Sequence, residues 1–148
     1  MIHITPLFTD LVRVETRLYN AVSARLRAER GLGLGEFEFL QIIDAIPGCR
    51  VLDIVNDVAI TVGAVSKAVD RLVAAGWCTR VPHPQDRRSS VLELTPEGRE
   101  ALTAARPVVA ATLTSLTEGI PADDLERLAS TLATLRANLE ADGQGQQK

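Results

Sequence analysis

Aromatic side chains are few in this chain: Phe8, Phe37, Phe39, Tyr19 and Trp77 are all it has. Proteins that hold single-stranded nucleic acid stack bases on exposed aromatic rings, so the shortage argues against that class. Cysteine is equally sparse. Cys49 and Cys78 form no CxxC pair and match no zinc-ligand spacing, which makes them two small half-buried side chains on the plain reading and a redox pair on the outside one. The two histidines, His3 and His83, lie far apart with no Ser/His/Asp or metal-ligand pattern around either. No catalytic residue, metal or cofactor is therefore expected. No apolar run reaches the roughly 18 residues that a membrane helix needs. The opening MIHITPLFTD also lacks the basic start and apolar centre of a secretory signal. The expectation is a cytoplasmic protein without a membrane partner.

What is present has an ordinary globular balance, 46% hydrophobic and 24% charged, in 148 residues. That length suits one domain, or a small domain with a second helical layer. The formal net charge is -3, yet it is unevenly placed. Residues 61–90 carry Lys67, Arg71, Arg80, Arg87 and Arg88 against Asp70 and Asp86, while the stretches on either side are net negative. A local basic face in an acidic protein points to an anionic partner met at that face alone.

Periodicity divides the chain. Ile4, Leu7, Leu11, Val14, Leu18, Val22 and Leu26 recur at three and four, the stripe of one long helix that ends near RGLGLG. Phe39, Ile42, Ile43 and Ile46 define a second helix closed by Pro47-Gly48, and VLDIVNDVAI a third of about two turns, with Leu52, Val55 and Val58 on one side. Thr61 supplies an N-cap hydroxyl for a fourth helix with Val65, Val69 and Leu72 inward, stopping at Gly76. WCTRV and VLEL then read as strands around a long solvated loop, PHPQDRRSS. Thr95 and Pro96 start another helix, in which Pro107 predicts a kink or break near Thr103. After GIP, Leu125, Leu128, Leu132, Leu135 and Leu139 form a heptad seam, and DGQGQQK is expected to be a frayed tail.

This order gives a mainly α fold with a small β-hairpin wing: a winged helix-turn-helix flanked by long N- and C-terminal dimerisation helices. The boundaries expected are 1–34 for the N-terminal helix, 35–95 for the winged helix-turn-helix and 96–148 for the C-terminal helices and tail. The recognition helix, 62–75, turns Val62, Gly63, Ser66, Lys67, Asp70 and Arg71 outward. Its small first residues permit close approach to a major groove, and Ser66 and Lys67 suit base edges or phosphates. Thr61 and the free amides of the first turn can hold a phosphate oxygen. Arg80, with Arg87 and Arg88 on a wing spanning 83–90, extends the basic face. Arginine suits a narrow, negative minor groove, and Asp86 is expected to pair with Arg88 and fix its direction. The rival reading is a winged-helix module that binds protein and has lost DNA binding.

DRRSSVLELTPEG resembles the wing signature of the multiple-antibiotic-resistance regulator (MarR) family of winged-helix transcription factors: Asp, any residue, Arg, then Leu-Thr and a following Gly. Here those are Asp86, Arg88, Leu94, Thr95 and Gly98. ITVGAVSKAVDRLVAAGW is similar to the family's recognition helix and its exit, and LGEFEFLQII to its second helix. The resemblance implies a homodimer joined by the terminal helices, a pseudo-palindromic double-stranded DNA site, and regulation of transcription, usually repression. It also implies an effector site where the dimer helices meet the winged helix. For a small aromatic or anionic effector, Arg13, Arg17, Tyr19 and Phe39 are the expected ligands. Gly35 stands where many members cap the second helix, and Ala59 where a turn glycine is frequent. The reactive cysteine that the peroxide-sensing branch carries near its first helix is missing here.

Overall fold

The computed structural model describes residues 1–145, apart from the side chains of Arg87 and Gln144. Six helices and a two-stranded hairpin run in the order α1 (Ile4–Arg30), α2 (Leu34–Ala45), α3 (Val51–Val58), α4 (Val62–Ala74), β1 (Cys78–His83), β2 (Asp86–Leu94), α5 (Pro96–Leu116) and α6 (Ala122–Gly145). The chain groups into two compact units, one of Met1–Leu113 and a second beginning at Thr114.

In the first unit the core gathers the inward faces of α2 to α5 and the hairpin: Phe37, Leu40 and Ile43 from α2, Ile54 from α3, Val65, Val69 and Leu72 from α4, Leu92 and Leu94 from β2, and Leu102 and Ala105 from α5. From α1, Val22 and Leu26 are buried, whereas Ile4, Leu7, Leu11 and Val14 of the same stripe are exposed. The α1 chain stops at Gly31, whose φ of 73° a side-chain-bearing residue would rarely adopt.

α2 begins at Leu34, and its first turn is held from outside the helix. The Leu34 amide donates to the Ser23 hydroxyl of α1 at 3.1 Å, and the Gly33 amide donates to the Glu36 carboxylate at 2.7 Å. A capping hydroxyl at position 35 is thus unnecessary, and a Cβ there would stand 3.0 Å from the Tyr19 hydroxyl. α3 differs from expectation in phase. Ile54 is its buried residue, Val51, Val55 and Val58 pack beside it, and Leu52 is exposed, because the inward stripe runs 51, 54, 55, 58. Ala59 ends α3 at φ 54°, the one non-glycine at positive φ among the described residues, a cost of roughly 1–2 kcal/mol that the tight turn into α4 imposes.

The hairpin corrects a second expectation. In place of a nine-residue loop, the strands extend to His83 and Asp86 and turn through Pro84 and Gln85 alone. Cys78 pairs with Leu94 and Pro82 with Ser90; then the register jumps so that His83 pairs with Asp86. Residues 87–89 form the extra length of a bulged arm, which twists the hairpin. Pro82 fits in β1 because a two-stranded ribbon leaves every second amide unpaired. On the other side of β2, the Leu92 amide donates to the Cys49 carbonyl at 2.7 Å.

At the wing's root the Thr95 hydroxyl donates to the Gly76 carbonyl at 2.6 Å and accepts from the Gly98 amide at 3.0 Å. A Cβ on Gly98 would land on the Trp77 carbonyl, so glycine is required by close approach. α5 continues through Pro107 as one helix, so of the kink or break expected near Thr103 the break does not occur. Arg99 and Arg106 both bond Asp44 of α2 on either side of that position, at 3.3 and 3.4 Å. In the second unit, α6 leaves Leu128, Leu132, Leu135 and Leu139 exposed, and it stays helical through Gly145, beyond the Asp142 at which the sequence suggests fraying. Residues 146–148 of that tail lie outside the described residues. No described helix is long and apolar enough to cross a membrane.

Candidate nucleic-acid interface

α4 has three faces, which follow from 100° per residue. Val65, Val69 and Leu72 are buried. Lys67 stands opposite them and is exposed, with Val62 and Gly63 near the helix start also exposed. Ala64, Ala68 and Arg71 occupy a third sector that lines a cavity. Arg71 therefore sits on the border between the outward face and the cavity.

The N-terminus of α4 is prepared for an anion. Thr61 Oγ1 accepts from the Ala64 amide at 3.2 Å, which leaves its hydroxyl proton available to donate. The amides of Val62 and Gly63 belong to the first turn, whose N–H groups have no intrahelical acceptor. Gly63 has ordinary helical backbone, and a Cβ there would meet nothing within 4 Å.

Arg80 is placed differently from Lys67. Its guanidinium donates to the Asp70 carboxylate at 2.8 Å and to the Ser66 carbonyl at 3.3 Å. The cation expected to meet DNA is engaged by α4, and Asp70, a like charge to phosphate on the outward face, is neutralised. Ser66 is partly buried under this contact. On the wing, Asp86 does not reach the Arg88 guanidinium as expected; its carboxylate accepts from the Arg88 backbone amide at 2.9 Å. It shapes the turn, and Arg88 remains exposed. His83 Nδ1 accepts from the Gln85 amide at 3.1 Å across the same tip. β2 carries Arg87, whose side chain lies outside what the structure describes.

The cavity of about 880 Å³ lies between α1, α2 and α4. Of the four residues expected at an effector site, Tyr19 and Phe39 line this cavity and Arg13 and Arg17 do not. Arg17 folds back on the Arg13 carbonyl at 3.5 Å, and helical phase turns Arg17 about 160° and Arg13 about 120° around α1 from Tyr19. The cations at the wall are Arg27 and Arg71, facing Glu15, Glu36 and Glu38. Desolvation, then the charges of Asp57 and Glu15, raises the Glu38 carboxyl above its ordinary range. Desolvation also raises the Tyr19 hydroxyl, with Glu38 next in effect. The spacing of four in Glu15, Tyr19, Ser23 and Arg27 is the sequence signal that marks this wall.

Cys49 and Cys78 are both fully buried. Burial pushes the Cys49 thiol up to about 11 and raises that of Cys78. They flank β2 on opposite sides, one bonded to Leu92 and the other paired with Leu94, about two strand spacings apart. That separation exceeds the reach of a disulfide.

The MarR family profile matches residues 32–90. MarR of Escherichia coli K12 is 32% identical over 71 residues, 47% of this chain and 49% of that protein. The chain spans between 28% and 49% of the length of the MarR proteins it matches. The transcriptional repressor CouR, solved bound to a 23-mer DNA duplex, is 30% identical, with 92% of this chain and 99% of that one covered at a TM-score of 0.80. A cysteine-to-serine variant of E. coli MarR, complexed with operator DNA, shares the fold at a TM-score of 0.82 and 23% identity, over 89% of this chain and 94% of that one.

Proposed function

We propose that the chain, which belongs to the MarR family, is a DNA-binding transcriptional regulator that acts as a homodimeric repressor on an inverted-repeat site. α4 enters the major groove, with Lys67 reading base edges or phosphate and the amides of Val62 and Gly63 holding a phosphate. The wing, through Arg88 and Arg87, follows the adjacent minor groove. The observation that carries this reading is the outward face of α4. Its central cation is exposed, its N-terminal amides are presented, and its one carboxylate is neutralised by Arg80. CouR and E. coli MarR, both solved with DNA, support the same use of the fold.

Dimerisation is supported by two exposed apolar faces, the N-terminal half of α1 and the leucine seam of α6. Two-fold symmetry then sets the half-sites about 10 bp apart, one turn of DNA. A mobility-shift titration with a duplex from the protein's own upstream region tests the reading. Retardation of that duplex in excess random competitor is the expected result. Absence of retardation on any duplex leaves the protein-binding module as the better account.

The cavity favours one addition, regulation by a small amphipathic acid. Arg27 and Arg71 offer charge, Tyr19 a hydroxyl, and Phe39, Val58, Ile60 and Leu72 an apolar wall. Since Arg71, Ala64 and Ala68 belong to α4, an occupant touches the recognition helix itself. To release DNA tenfold it must favour the incompetent arrangement by about 1.4 kcal/mol. Titration of the protein–DNA complex with salicylate, beside Arg71→Ala and Arg27→Ala, should show release by the parent and weaker release by both variants.

A further inference from the structure

Arg80 is basic and adjacent to the wing, which suggests a DNA contact, but its geometry assigns it another task. Strand alternation puts it on the inward side of β1 with buried Cys78, while Thr79 and Val81 face outward. From there a single guanidinium nitrogen, Nη2, donates to both the Ser66 carbonyl, at 3.3 Å, and the Asp70 carboxylate, at 2.8 Å. Those residues are four apart, so the Ser66 carbonyl points along the helix axis toward Asp70 and the two acceptors lie side by side. One backbone and one side-chain acceptor on the same nitrogen tie β1 to the middle of α4. Arg80 is held to 30% exposure, whereas Asp70 is 68% exposed on the face turned to DNA.

We propose that Arg80 is a positioning residue: it locks the recognition helix to the base of the wing and so fixes the angle between major-groove and minor-groove elements, without itself touching DNA. The proposal rests on the DNA-binding reading of this face. An exposed ion pair contributes little to stability, so the lock serves aim. Asp70 separates this from simple electrostatics. As a bare carboxylate near phosphates, its removal would tighten binding to any DNA; as half of a lock, its removal must weaken specific binding.

The test uses Asp70→Ala, Arg80→Met, their double variant and Arg80→Lys in the full chain. Asp70→Ala is at an exposed helical position and should fold normally. Two duplexes serve as probes, one selected by the wild-type chain from a randomised library and one random sequence of equal length, each over a salt series. Both single variants should weaken binding to the selected duplex by about tenfold, the scale of removing one base-edge interaction. Binding to the random duplex should hardly change, the salt slope should stay constant, and the double variant should be no worse than Arg80→Met. Arg80→Lys, which keeps a single donor nitrogen but on a shorter stem, should recover only part of the affinity. Tighter binding by Asp70→Ala, or a salt slope lowered by about one in Arg80→Met, would overturn the proposal and make Arg80 a phosphate ligand. Amide hydrogen exchange of the free chain provides a readout without DNA. Exchange in β1 and the first turns of α4 should quicken in both single variants, and unchanged exchange also overturns the lock. A wild-type chain that selects no duplex would instead defeat the DNA reading, leaving the exchange result to decide the lock alone.

Discussion

Gly63 is a helical glycine with no internal reason to be one: its φ is ordinary and the space beside it is open. Glycine in a helix costs roughly 0.5–1 kcal/mol relative to alanine. Gly63→Ala should therefore raise stability by about that amount in chemical denaturation, while the added methyl obstructs close approach to DNA and weakens specific binding several-fold. A variant that is more stable and binds equally well would show that nothing approaches this position. Gly98 is the opposite case, since Trp77 occupies the space a side chain would need. Gly98→Ala should cost about 1–3 kcal/mol, the usual penalty of overpacking, read as a lower denaturation midpoint. Glu38 gives a pH prediction. Its carboxyl is raised in the folded chain, so the native state binds the proton more tightly than the unfolded state does, and stability falls as pH rises from the ordinary carboxylate value through the raised one. Glu38→Gln should melt above the parent at pH 7 and level with it at acid pH, below the ordinary range. An equal difference at both would remove the titration as its cause.

At the scale of elements, α4 and the wing should answer differently to loss of charge. Arg88→Ala should weaken binding across sequences and lower the salt slope by about one for each phosphate it no longer neutralises, as measured by titration at several salt concentrations. Lys67→Ala should instead cost discrimination at one position per half-site, by about 1–3 kcal/mol; equal loss on random DNA would restrict Lys67 to phosphate. The limits of these elements are legible in the sequence wherever a local signal sets them. Thr61 caps α4, Thr95 and Pro96 begin α5, and Gly31 and Gly76 end their helices through positive φ. The hairpin is longer than its sequence suggests because Pro82 and the polar residues after it look like loop, whereas backbone pairing in an edge ribbon needs neither apolar side chains nor every amide. The Arg80 bond joins residues ten apart on two elements, so no local pattern announces it. Arg13 and Arg17 look like effector cations because they are basic and near Tyr19 in sequence, but helical phase turns them away and brings Arg27 and Arg71 to the wall.

At the scale of the molecule, exposed leucine and valine on α1 and α6 call for a partner surface, and the proposed homodimer would supply one from a second copy of the chain. Light scattering should report a dimer at micromolar concentration, and Leu135→Glu, which places a carboxylate in the α6 seam, should shift it to monomer and lose specific DNA binding. A wild-type monomer under those conditions would defeat the dimer. How movement in such a molecule reaches its wing depends on the joint at Gly98, where the Trp77 carbonyl rests against the first turn of α5 with no side chain between them. Side chains are the compliant parts of a packed contact, because they can change rotamer and absorb a displacement. Backbone against backbone has little such give, and close-packed interiors pass strain onward. The wing root and the start of α5 are therefore built to shift together when that turn is displaced.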